Sequence, residues 1–294
     1  MTTPSLRVAV LGATGVYGRH LLPRLAAAGH RVRALVRRPQ AATLAAACGA
    51  EVVAADLFDE ASLGAGLAGC DVAVNLATSL PSLGSTGGDF AANDRLRREG
   101  TPVWVRACRA AGVPRLLQQS IAMTHAGGGA AWADETTFHA IDETSVFGQA
   151  VAAVRVMEAT IESSGADWLI LRGGLFYGPG TGFDDDWFTR ARAGKLRLPE
   201  EGQDHVSLVH VADMAAATVA ALERWPSRQA LIVADDAPAP WRDVFGFVCA
   251  CAGVAPPLPG GPARMPSFRV TNRRAREWLG WRPRYPDYRA GLVR

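Results

Sequence analysis

The strongest constraint on the fold lies near the N-terminus. There an apolar run, Val8-Ala9-Val10-Leu11, stops at Gly12, and further glycines follow at Gly15 and Gly18. The chain then runs into Arg19-His20-Leu21-Leu22, so the stretch reads as strand, tight turn and helix. A backbone that turns sharply beside a ligand needs residues without a Cβ. The helix it opens offers unpaired N–H groups and the positive end of its dipole, which suit a pyrophosphate. The spacing is G-x-x-G-x-x-G rather than G-x-G-x-x-G, so the dinucleotide motif is met in mechanism and not in letter.

Beyond this helix the chain has the rhythm of a parallel, doubly wound sheet. Strands are expected at 7–11, 31–36, 51–55, 71–76, 115–119 and 167–172, with helices at 16–28, 39–48, 60–67, 90–111 and 144–164. After Arg172 the pattern breaks at Gly173-Gly174 and Gly178-Pro179-Gly180. The expected fold is therefore a Rossmann-type α/β domain with a small, discontinuous C-terminal cap that binds substrate. Residues 1–172 form the nucleotide domain, 207–235 return to it, and 173–294 are mostly cap.

Composition narrows the partners. A net charge of +3 with interspersed signs leaves no basic stripe, which argues against nucleic acid. The five cysteines show no C-x-x-C pair and no histidine at ligand spacing, so neither a metal site nor a disulfide framework is expected. No apolar run is long enough to cross a membrane, no export signal is legible, and a cytoplasmic protein is expected. Lys195 is the only lysine among many arginines, a bias typical of a high-GC genome. Oligomeric state is not legible.

Four segments recur in one order: Gly12-x-x-Gly15-x-x-Gly18, Asp56-Leu57, Asn75-Leu76-Ala77, and Arg172-Gly-Gly-Leu-Phe-Tyr177-Gly178-Pro179-Gly180. With Asn93, Gly100-Thr101, Val209-His210-Val211-Ala212-Asp213 and Leu279-Gly280-Trp281-x-Pro283, the chain resembles the extended short-chain dehydrogenase/reductases of the NAD-dependent epimerase/dehydratase group. The resemblance implies that Thr14, Val16 and Tyr17 help hold the pyrophosphate and that Asp56 and Leu57 lie at the adenine. It places Asn75, Leu76 and Ala77 along the cofactor and Gly174, Leu175 and Phe176 at the nicotinamide. About 20 residues past the last glycine, where an acid would take the ribose of NAD, stand Arg37 and Arg38. Guanidinium forks suit a 2′-phosphate, so NADP(H) is favoured, with NAD(H) as the other candidate.

The chain departs from this family at its catalytic centre. The family's Tyr-x-x-x-Lys dyad is absent: one register places Ala150 and Val154 there, the other Phe147 and Val151. Ser120 matches the family's catalytic serine, although a one-residue slip puts Ile121 there instead. Thr124, His125, His139 and Asp142 lie where substrate would approach. Phe147, Phe183 and Trp187, with Trp132, Phe138 and Phe188, are candidates for walling an apolar substrate pocket, and Gly127-Gly128-Gly129 reads as the hinge of a lid. His210 and Asp213 read as structural.

Without the dyad, one-way reduction is easier to sustain than epimerisation, because hydride comes from the cofactor and the protein mainly orients a ketone. These features resemble the ketoreductases of actinomycete aromatic-polyketide antibiotic pathways. They imply NAD(P)H-dependent reduction of a ring ketone in a polycyclic, angucyclinone-like substrate. The alternatives are a non-catalytic NADP(H)-binding redox sensor and a reductase of an alkene or imine.

Overall fold

The computed structural model describes residues 4–80, 90–263 and 265–292. Nine strands matter here: β1 (Arg7–Leu11), β2 (Arg31–Val36), β3 (Glu51–Ala54), β4 (Val72–Asn75), β5 (Arg115–Ile121), β6 (Asp167–Gly173), β7 (Leu175–Tyr177), β8 (Leu208–His210) and β9 (Gln229–Val233). Seven of them form one parallel sheet in the order β9-β6-β5-β4-β1-β2-β3. The chain winds outward from β1 to β3 and then crosses back to place β4 on the other side of β1. That reversal opens a crevice at the carboxyl ends of β1 and β4, where sheets of this kind bind ligands.

The strands read as continuous apolar runs because helices bury both faces of the sheet. On one face Val8 and Val10 meet Leu21, Leu22 and Leu25 of α1 (Val16–Ala27) and Met214, Ala217 and Ala221 of a long C-terminal-half helix, Val211–Arg224. On the other, Ala9 and Leu11 share a core with Leu63, Leu67, Trp104 and Ile161.

Numbered in chain order, the remaining helices begin with α2 (Thr43–Ala47), α3 (Glu60–Leu67), α4 (Ala91–Arg95), α5 (Thr101–Ala110), α6 (Val146–Glu162) and α7 (Phe183–Arg192). They continue with α8, the Val211–Arg224 helix, then α9 (Trp241–Cys251), α10 (Arg273–Leu279) and α11 (Tyr288–Gly291).

Two expected helices are interrupted. The segment expected at 39–48 is a single 3-10 turn, Pro39–Ala41, followed by α2, because Ala42 sits outside helical geometry at φ −94° and ψ 30°. The segment expected at 90–111 widens into a π-helical stretch, Leu96–Gly100, between α4 and α5. Pro102 at the start of α5 has no N–H to donate to the preceding turn, and the ladder adjusts there.

A second core lies beyond β6. Strands β7 and β8 pair in parallel, Leu175 with Leu208 and Tyr177 with His210. Beside them Trp187 and Phe188 of α7 pack with Trp241, Val244 and Phe245 of α9, and with Phe268 and Tyr288. Trp187 meets Trp241 edge-on at 5.9 Å and Phe245 at 5.5 Å, contacts that add roughly 0.5–1.5 kcal/mol each beyond area burial. At the β9 side, Glu135 accepts the N–H of Ile232 at 3.0 Å and lies 3.5 Å from Arg274 of α10.

Candidate active site

The glycines are required by contacts that a side chain would destroy. Gly12 has φ +81°, and a Cβ there would lie 2.8 Å from the Leu76 carbonyl carbon and 2.9 Å from the Ala77 nitrogen. The turn after β1 is therefore pressed onto the turn after β4. Asn75 shapes that second turn, donating to Gln118 Oε1 at 3.0 Å and accepting the Ala77 N–H at 3.0 Å. Gly18 abuts the backbone of Ala13. Gly15 caps α1 with no side chain bonded to the first amides, and Thr14 and Gly15 are exposed while Val16 is half-buried. These open amides at a positive dipole end fit a dinucleotide pyrophosphate.

Tyr17 departs from its expected place in one respect. Its ring is buried, edge-on to Phe176 at 5.6 Å, and its hydroxyl meets the Thr218 hydroxyl and the Met214 carbonyl. Burial pushes that phenol far above its usual range. The side chain ties α1 to α8, which leaves Tyr17 only its backbone to offer a cofactor.

The other cofactor candidates surround the same crevice. Arg37 and Arg38 are exposed at the end of β2, and neither guanidinium has a partner among the described residues. Asp56 accepts the Phe58 N–H at 2.9 Å, while Leu57 is buried and fills the space where a Cβ on Gly100 would go. Gly174 is pressed onto the Ser207 carbonyl, where a Cβ would lie 2.7 Å away. Leu175 is buried and Phe176 half-buried beside it.

The surroundings of Ser120, the candidate catalytic residue, are built differently. Ser120 is 1% exposed, and its hydroxyl donates to Glu158 Oε1 at 2.5 Å. Glu158 in turn takes a two-pronged ion pair from Arg172, Nε to Oε1 at 2.9 Å and Nη2 to Oε2 at 2.7 Å. Arg172 Nη1 donates to His125 Nε2 at 3.3 Å, and His125 Nδ1 donates to the Thr137 carbonyl at 2.6 Å. Burial, reinforced by the Arg172 charge, lowers the His125 pKa to about 4, so the imidazole is neutral with its proton on Nδ1. Thr124 is buried and donates to the Ile121 carbonyl at 3.1 Å. Ser120 and His125 thus belong to one buried network through Glu158 and Arg172, while the Thr124 hydroxyl is spent on the backbone of its own turn.

Neither dyad register offers a polar group: Val151 and Val154 are fully buried, and Ala150 and Phe147 are half-buried. Phe147 and Phe183 pack on the second core, and Trp187 lies within it. Phe138 is half-exposed and tilts over His125 at 4.8 Å. His210 caps α8 by accepting the Ala212 N–H at 3.2 Å, and Asp213 accepts the N–H groups of Arg284 and Tyr285.

The glycine triplet expected as a hinge is bonded to a distant segment. Gly127 donates to the Ser267 carbonyl at 2.9 Å, Ser267 donates back to the Gly129 carbonyl, and His139 packs against Gly127 and Gly128. It is a folded corner tied at both ends. A cavity of about 420 Å³ lined by Trp132, Asp235, Asn272 and Arg276 lies beside β9 and shares no residue with the glycine loop.

Arg172 was read only as the head of a family motif, and its pairing with Glu158 was not expected from the sequence. Their signal was present: Glu158 is an isolated acid on the apolar face of a helix, and Arg172 is an isolated charge closing the run Leu169-Ile170-Leu171. Two lone opposite charges in apolar surroundings are expected to meet.

Residues 12–224 match a family described as NAD(P)H-binding. The chain belongs to this family. A 3-diazoavenalumate denitrifying reductase from a Streptomyces species is 41% identical, over 98% of this chain and 100% of its own. A 4-hydroxy-2-methyl-3-oxo-4-farnesyl-3,4-dihydroquinoline-1-oxide ketoreductase from Stigmatella aurantiaca is 27% identical, over 98% of this chain and 85% of its own. The solved Thermus thermophilus UDP-glucose 4-epimerase, in complex with NAD, shares the fold at a TM-score of 0.77. It is 21% identical and covers 98% of each chain. The protein is an NAD(P)H-dependent reductase, and it shares its fold with that epimerase. No helix among the described residues is long and apolar enough to cross a membrane.

Proposed function

We propose that this reductase delivers hydride from NADPH to an aromatic small molecule without drawing a proton from its own side chains. The observation that carries this reading is the apolar dyad register combined with the inward commitment of Ser120, Thr124 and His125. Bound nicotinamide supplies the hydride. The chain supplies the pyrophosphate cradle, the cleft that orients the acceptor and the apolar walls that keep water out. Orientation alone is worth effective molarities on the order of 10⁵ M, while a general acid adds ~10²–10⁴-fold, so loss of the acid is tolerable. Exposed Arg37 and Arg38 support NADPH over NADH.

The acceptor we assign is a ring ketone of a polycyclic, angucyclinone-like aromatic polyketide in antibiotic biosynthesis. A phenol beside the carbonyl would give its proton to the developing alkoxide, replacing the missing tyrosine. The Streptomyces relative favours a second reading, an aryl diazonium acceptor. In that case one C–H bond forms, the C–N bond breaks and dinitrogen leaves, with two electrons from the cofactor and no proton needed.

The test is cofactor oxidation with three substrates: a free-phenol polycyclic ketone, its O-methyl ether, and an aryl diazonium labelled with nitrogen-15. The ketone reading expects turnover of the free phenol and reduction of the ether at least roughly tenfold slower. Release of labelled dinitrogen, with deuterium passing from deuterated NADPH to the ring, supports the second reading. No oxidation of NADPH with any of the three overturns both.

A further inference from the structure

The apolar dyad register has a charged neighbour on the adjoining helix. Arg97 lies in the π-helical stretch Leu96–Gly100, and its Nη1 donates to the carbonyl of Ala150 on α6 at 3.3 Å. Ala150 is one of the two positions where the family's tyrosine would stand. The Arg97 side chain is only 11% exposed and lies 3.5 Å from Asp94, its one acidic partner among the described residues. An arginine does not lose its proton under such conditions, although burial lowers its pKa and Asp94 opposes that.

The same helix is fixed at the cofactor crevice one turn earlier. Asn93 accepts the Ser79 N–H at 3.0 Å, just past the Leu76-Ala77 turn that touches Gly12, and its own Nδ2 is buried without a partner among the described residues. Asn93 and Arg97 are thus successive polar groups between the cofactor turn and α6. The π-helical widening belongs to this placement, since an extra residue per turn changes which side chains face a neighbour. Other cations nearby are engaged elsewhere: Arg155 on α6 donates to the His139 carbonyl at 3.4 Å, and Arg172 is bound to Glu158.

We propose that Arg97 is a catalytic residue that supplies, from the side, the positive charge that α6 lacks, stabilising the negative charge that develops on the substrate oxygen as hydride arrives. No bond to Arg97 forms or breaks, and its protons stay on the guanidinium. Charge aimed at a developing oxyanion in a water-poor cleft is among the larger contributions an enzyme makes. The inference rests on the ketone reading above and assigns the charge that accompanies it.

The experiment compares wild type with Arg97→Met, Arg97→Lys and Arg97→Ala. It uses single-turnover reduction of a ketone that wild type accepts, NADPH binding by fluorescence titration, and thermal melting. Arg97→Met is expected to slow hydride transfer roughly 100-fold while NADPH affinity stays within about threefold. Arg97→Lys should lie between the two. Millimolar guanidinium should restore part of the rate in Arg97→Ala, which a purely structural role would not allow. Reduction by Arg97→Met within about threefold of wild type overturns the proposal. So does a slow variant whose NADPH binding and melting temperature fall in parallel and which guanidinium does not rescue. Absence of ketone reduction by wild type overturns the assigned function itself, a separate outcome from failure at Arg97.

Discussion

The crevice between β1 and β4 and the buried network at α6 are built by different means. At the crevice the decisive contacts are made by backbone: Gly12 against the Leu76-Ala77 peptide, Gly18 against Ala13, and the uncapped amides of α1. At α6 they are made by side chains that bind one another, Ser120 to Glu158, Glu158 to Arg172 and Arg172 to His125. A backbone site accepts any sequence that keeps its glycines, so it persists while the chemistry beside it changes. A side-chain network stabilises the fold even when its members no longer meet a substrate. The difference separates holding a cofactor from reacting with its help.

That separation is open to a double test, beginning with its largest effect. Glu158→Ala leaves the Arg172 charge buried without a partner and should cost about 3–5 kcal/mol of stability, read from the urea midpoint. NADPH affinity should stay within about threefold, and the double variant Glu158→Ala with Arg172→Met should recover part of the loss. A comparable fall in NADPH affinity would join the two regions that this comparison separates.

Two buried histidines, His125 in this network and His210 at the start of α8, should give the protein its acid sensitivity. Burial lowers the pKa values of His125 and His210 to about 4, against an ordinary 6.5. The unfolded chain therefore binds more protons between these values, and stability that is complete above pH 6.5 is lost as pH falls toward 4. The loss should be on the order of 2 kcal/mol after allowance for solvent screening. Denaturation midpoints at pH 7 and pH 4.5 check it, and His125→Asn should flatten the difference.

On the cofactor side, Arg37→Ala with Arg38→Ala should weaken NADPH binding roughly ten- to a hundredfold, leaving NADH binding and the urea midpoint unchanged. Equal affinity of wild type and variant for NADPH would remove the arginines from the site. The smallest effect is expected at Ser120. Its hydroxyl is held by Glu158, so Ser120→Ala should lower kcat by about tenfold or less, far from the ~10⁴ that a full acid catalyst is worth. A loss near that upper figure would restore Ser120 as a proton donor.

How much of this was legible depended on the reach of each interaction along the chain. The sheet was readable because each strand is buried on both faces and shows as an apolar run. The cradle was readable because its steric demand falls on one residue type at short spacing. Ser120 was located, but its partner is 38 residues away and the hydroxyl gave no sign of its direction. The bonds that tie the 127–129 glycines were hidden for the same reason, since Ser267 lies 138 residues from Gly129. The π-helical stretch had a local mark in Pro102, and its consequence, the aim of Arg97 at Ala150, depends on how two helices pack.

One of those distant contacts also governs how the molecule meets other copies of itself. Strand β9 ends the sheet, and the outward amides of a terminal strand are a template on which another chain can lay a strand. Glu135 holds the N–H of Ile232 with a carboxylate, and Asn272 donates to the carbonyls of Ala234 and Asp235 just beyond. The border is thus closed with side chains where an incoming backbone would need free donors and acceptors. An association that extends the sheet past β9 at Ile232 must first displace a buried carboxylate, which disfavours fibre-like growth along that edge.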